Sequence, residues 1–163
     1  MNVMDAVGPV YNFNLFYAQR LVADLADEEL CRQPLRDVTM NHPAFLIGHV
    51  AWSNDNGIKL VGGTPVLIGL KELWGTGAIP SDDRSRYPSK ADIVKTLEVS
   101  HARLAEAVTN ASKSYFKAPA PENMRAKFPT NGHVLLGLMT SHYAVHLGQL
   151  SAWRRAMGLP SVF

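Results

Sequence analysis

The chain has 163 residues, 47% hydrophobic and 18% charged. That composition excludes a wholly disordered chain, and the length suffices to bury a core in one domain, 1–163, without disulfides or a structural metal. Its 16 basic and 14 acidic residues are scattered and leave a formal net charge of +2, with no Lys/Arg run to follow a phosphate backbone, so nucleic acid is not an expected partner. Cys31 stands alone, the N-terminus lacks the pattern of a signal peptide, and no apolar run approaches the ~20 residues of a membrane span. A cytoplasmic protein with no membrane partner is expected.

Four helix-length segments follow in order. The first, about 9–30, repeats Val10, Phe13, Leu15, Phe16, Leu21, Val22 and Leu25 around a polar face of Gln19, Arg20 and Asp24, and Pro34 marks its end. The second starts at Asn41 as N-cap, with Pro43 in the first turn, and runs to about Val61 before Gly62-Gly63. The third opens on Ser89-Lys90-Ala91-Asp92, a capping box with Asp in place of Glu, and carries Ile93, Val94, Leu97, Leu104 and Val108 down to about Thr109. The fourth, about 132–157, is apolar nearly all round, as a buried helix is, until Arg154 and Arg155 meet the negative end of its dipole. With no strand-like alternation the fold class is all-α, a four-helix bundle. Its second and third connections, 62–88 and 111–131, are long, and Val66 to Trp74 could hold a short helix.

The chemistry is concentrated in histidine. On a helix His142 and His146 share one face at i and i+4, so their imidazoles point into one volume. His49, on the second segment among Leu46, Ile47, Val50 and Trp52, is a third inward-facing imidazole. Three such residues from two neighbouring helices form a three-histidine metal site with open positions. The alternative is that each is a core histidine bonded to a carbonyl or side chain. His42 lies about 10 Å along the helix from His49, too far to share its ion, and is expected to pack at the helix start. His133 is about 180° around the helix from His142, and His101 is expected to be solvated.

The pattern also excludes. A zinc protease carries Glu after its first histidine, whereas position 143 is Tyr, and no Glu-x-x-His pair marks a di-iron centre. Three neutral imidazoles leave about two charges of a divalent ion unneutralised, which attracts hydroxide, thiolate or carboxylate and favours activation of a thiol or water. By helical phase Ser53, Asn56 and Gln149 flank the ion and are candidates to orient a ligand or substrate. Asn14 and Tyr11 are weaker candidates, and Trp52 and Trp153 candidate walls.

Asn41-His42-Pro43-Ala44-Phe45-Leu46-Ile47-Gly48-His49-Val50-Ala51-Trp52, Tyr87-Pro88-Ser89, His142-Tyr143-Ala144-Val145-His146-Leu147-Gly148-Gln149-Leu150 and Arg155-Ala156-Met157-Gly158-Leu159-Pro160 together resemble the DinB/YfiT-like superfamily across nearly the whole chain. The specific parts are Gly-His in the second segment and His-x-x-x-His-x-Gly-Gln in the fourth. The resemblance implies an up-down-down-up bundle, one Zn or Ni ion on His49, His142 and His146, and a homodimer. It also implies a metalloenzyme acting on a small-molecule substrate, with a low-molecular-weight thiol such as bacillithiol, mycothiol or glutathione as cosubstrate. The competing expectation is a non-catalytic stress-response module that holds a metal or small ligand without turnover.

Overall fold

A computed structural model describes residues 3–163, and the described residues form helices with no strand. The helices are α1 (Val3–Val22), α2 (Pro43–Gly57), α3 (Lys71–Trp74), α4 (Lys90–Asn110), α5 (Lys113–Lys117), α6 (Glu122–Arg125), α7 (Asn131–Gly137) and α8 (Tyr143–Ala156). A π-helical turn, Leu138–His142, joins α7 to α8, so the predicted fourth segment is one helix with a wide turn in its middle. None of these helices is long and apolar enough to cross a membrane.

Each long helix packs on two others: α1 on α4 and α8, and α2 on α4 and α8. Specific bonds pin these pairs. The Gln19 amide donates to Glu98 and the Lys90 ammonium to the carbonyls of Ala23 and Leu25, tying α1 to α4. Buried Arg154 forks onto both oxygens of Asp24 at 2.6 and 2.8 Å and onto the carbonyls of Leu21 and Pro160, locking the ends of α1 and α8 and the C-terminal tail together. The sequence placed Arg154 as a simple dipole partner; its burial makes it a clamp, because a buried guanidinium needs several acceptors.

Several predicted boundaries shift. Pro9 lies inside α1, where the loss of one backbone bond is offset by burial of Val7 and Tyr11 on either side of it. The chain then leaves the helix at Val22, and Asp27–Cys31 forms a separate 3₁₀ turn. The buried face of α1 is Val7, Tyr11, Asn14, Ala18, Leu21 and Val22, while Val10, Phe13 and Phe16 are about half exposed. The predicted stripe therefore holds at Leu21, Val22 and Leu25 but is out of phase at Val10, Phe13 and Phe16, because a small and a polar residue occupy core-facing positions there and aromatics face outward. Those aromatics are not isolated: Phe163 reaches back to within 4.9 Å of Tyr17 and 6.1 Å of Phe13, ring centre to ring centre. The fourth segment is likewise not buried all round, since Leu136 and Val145 are exposed.

The cap of α2 is His42 rather than Asn41. Its Nδ1 accepts from the Phe45 N–H, and its Nε2–H donates to the Ser81 carbonyl at 2.8 Å. Ser89 does cap α4, accepting from the Asp92 N–H. The long 62–88 connection starts at Gly62, whose φ of +83° suits glycine. It is held by buried Asp55, which accepts from the N–H groups of Val66 and Leu67 at 2.7 Å each and pairs with Arg103.

The same connection delivers fully buried Trp74 onto α2. The indole Nε1–H donates to the Ala44 carbonyl at 3.1 Å, and the ring lies over Gly48 so closely that a Cβ there would sit 2.0 Å from it. Gly48→Ala should therefore destabilise the protein by about 1–3 kcal/mol or more in urea titration. The Gly48→Ala/Trp74→Ala double variant should lose less than the sum of the single losses, because the clash and the indole disappear together.

Candidate metal centre

Of the six histidines, His49, His142 and His146 come together, from α2, the π-helical turn and the first full turn of α8. His49 is buried and the other two are half-buried. Nε2 of His142 lies 3.3 Å from Nε2 of His49 and 3.2 Å from Nε2 of His146. All three ligand atoms lie within 4.8 Å of one another.

Two tautomers are set by acceptors that have no proton to give. The Nδ1–H of His49 donates to the Trp74 carbonyl at 2.7 Å, and the Nδ1–H of His146 donates to Gln149 Oε1 at 3.0 Å. Each bond leaves an unprotonated Nε2 aimed at the cluster. Gln149 is held in turn by the Asn41 amide at 3.3 Å. Burial lowers the pKa of all three rings. His142 falls furthest, to about 4, through desolvation and then the repulsion of His146 and His49. At neutral pH the cluster therefore offers three neutral nitrogen donors. Tetrahedral zinc, with Zn–N near 2.0–2.1 Å, separates its ligand nitrogens by about 3.3 Å. The 3.3 and 3.2 Å spacings from His142 and the donor set fit such an ion.

A cavity of about 650 Å³ opens on the three imidazoles, a size suited to a small-molecule ligand. Trp52, Ser53 and Asn56 line it, together with Asn41, Lys59 and Met124, which were not foreseen. Gln149 acts on His146 rather than on the cavity. Asn14 donates to the carbonyls of Met139 and Thr140 at 3.3 and 3.5 Å, so it supports the π-helical turn and not a ligand. Tyr143 is fully buried and meets Tyr11 edge-on, with ring centres 5.9 Å apart. Burial raises its pKa, so it offers no base to the site.

The remaining histidines stand apart. His133 is exposed and bonded to Thr130, and His42 caps α2. His101, expected to be solvated, is buried: it stacks on Tyr11 at 3.7 Å and bonds Asn12 through Nε2. Its polar neighbours Ser100 and Arg103 concealed this in the sequence, because only the packing of α1 on α4 covers that face. Trp74 was the functional residue that sequence reasoning missed as a partner of His49, since it acts through its carbonyl and no side-chain pattern signals it.

Both His101 and His142 have pKa values lowered by burial to about 4. Between about pH 6.5 and 4 the unfolded chain therefore binds more protons than the folded one at these histidines, and stability falls as pH falls across that window. Denaturant titrations of metal-free protein at stepped pH should show this decline, and His101→Phe should flatten part of it.

No curated protein matches the chain. The model of the DinB superfamily matches residues 17–150, a span that begins within α1, ends within α8 and contains all three clustered histidines, so the chain belongs to the DinB superfamily.

Proposed function

We propose that the protein is a metal-dependent enzyme in which His49, His142 and His146 hold one Zn or Ni ion. The observation that carries this reading is the convergence of three neutral Nε2 atoms on the floor of an open cavity. When bound, the ion supplies Lewis acidity, lowering the pKa of a thiol or water that reaches it, for transfer or hydrolysis. The chain's own residues do the rest. Trp74 and Gln149 fix the imidazole tautomers, Asn41 steadies Gln149, and Phe45 and Trp52 wall the cavity beside Ser53 and Asn56. No acidic residue lines the cavity among the described residues, which leaves the nucleophile without a carboxylate base. A thiol suits that arrangement, because it ionises readily beside a cation.

The non-catalytic alternative, a module holding a metal or ligand without turnover, calls for a closed plug of side chains, and the open cavity favours the enzyme. We also read residues 1–163 as one four-helix domain of up-down-down-up order. The paired contacts support this: Asn14 with Met139 and Leu21 with Arg154 run the same way along α1 and α8, whereas Gln19 with Glu98 and Ala23 with Lys90 run oppositely along α1 and α4. Asn41 with Gln149 and His49 with His142 run oppositely along α2 and α8. The exposed aromatics Phe13, Phe16 and Phe163 are a surface that a homodimer would cover.

Elemental analysis of untagged protein should find one divalent metal per chain, with the metal lost in His142→Ala; equal content in the two would remove the ligand assignment. Wild type should then show metal-dependent turnover in a transfer screen with glutathione, bacillithiol and mycothiol. Gln149→Leu, which frees the His146 Nδ1–H, should weaken zinc affinity on the order of 10–100-fold in competition with a chromophoric chelator.

A further inference from the structure

The lining of the cavity extends past the end of α2. Its α2 wall includes Phe45, His49, Trp52, Asn56 and, beyond the helix in the 3₁₀ turn Ile58–Val61, Lys59 and Leu60. His49 and Lys59 are ten residues apart, about 15 Å along a helical axis. The lining is largely apolar and includes Trp52, Leu60, Met124, Val134 and Leu138. Lys59 is the one charged side chain among the described lining residues, the three imidazoles being neutral. It is exposed and belongs to none of the ion pairs among the described residues. A cation on the lining of a largely apolar cavity with no acid in its walls gives the part of the cavity near it a positive potential.

We propose that the cavity selects a small molecule that is apolar along its length and anionic at one end, with the Lys59 ammonium holding the anion and the opposite end presented to the three histidines. This deepens the reading of the cavity as a substrate site and rests on it. Trp52 and Leu60 cover the apolar body, and a carboxylate is the simplest group for Lys59 to hold. The length between His49 and Lys59 favours a medium-chain ligand over a single small anion.

Calorimetric titration of octanoate and of 1-octanol into chelator-treated and zinc-loaded protein tests the proposal. Octanoate should bind the chelator-treated protein more tightly than octanol does. Lys59→Ala should weaken octanoate about fivefold, the scale of an exposed charge pair, and leave octanol unchanged, while Lys59→Arg should retain octanoate binding. The absence of saturable octanoate binding in both forms, or equal losses for octanoate and octanol in Lys59→Ala, would overturn the proposal. Octanoate that binds only with zinc and is indifferent to Lys59→Ala would overturn the lysine assignment and leave the metal reading standing. Lysine-dependent binding in a protein that takes up no zinc would support the anion site and count against the metal.

Discussion

The centre depends on the seating of Trp74 against α2. One residue performs three tasks there: its ring fills the space left by the missing side chain of Gly48, its indole N–H satisfies the Ala44 carbonyl, and its own carbonyl accepts the Nδ1–H of His49. Without that carbonyl, His49 would be a buried imidazole with no partner at Nδ1 and either tautomer open to it, a costly and undirected arrangement. The glycine and the histidine beside it thus serve one purpose. Gly48 admits the 62–88 connection, and His49 uses it.

The second histidine-bearing element is shaped by the π-helical turn. A wide turn frees backbone groups from the regular pattern, and Asn14 on α1 accommodates it by donating to two of its carbonyls. His142 ends that turn and His146 follows one regular turn later, so the pair keeps its i, i+4 spacing. The apolar residues of α7 then face two ways: Val134 lines the cavity and Leu135 enters the core. Arg154, clamped to Asp24 and the Leu21 carbonyl, fixes the far end of α8 on α1 and so holds the helix that carries His146.

The electrostatics of the site follow from what is absent as much as from what is present. Desolvation keeps the three imidazoles neutral, and Tyr143, in the place where a protease would keep its glutamate, is turned into the core. An ion held by such donors keeps its charge, and the cavity walls carry no carboxylate to offset it. Selection of anionic or readily ionised ligands is then a property of the whole cavity, with Lys59 at its other end, rather than of the histidines alone.

The sequence by itself determined the helical class, the second, third and fourth long segments to within a few residues, the presence but not the ends of the first, and the three histidines, because hydrophobic period, capping residues and i, i+4 spacing are local properties of a chain. It also excluded the protease and di-iron patterns. It did not show which face of α1 is buried around Val10 to Phe16, since Phe13 and Phe16 are as apolar as the core, nor that His101 is covered, since the covering surface is another helix. Trp74's role lay hidden because a main-chain carbonyl leaves no mark in the residue type. The cavity, with Asn41 and Lys59 brought to it, and the clamp at Arg154 were decided only when segments distant in sequence packed together, where desolvation and unsatisfied hydrogen-bonding groups select one partner from many.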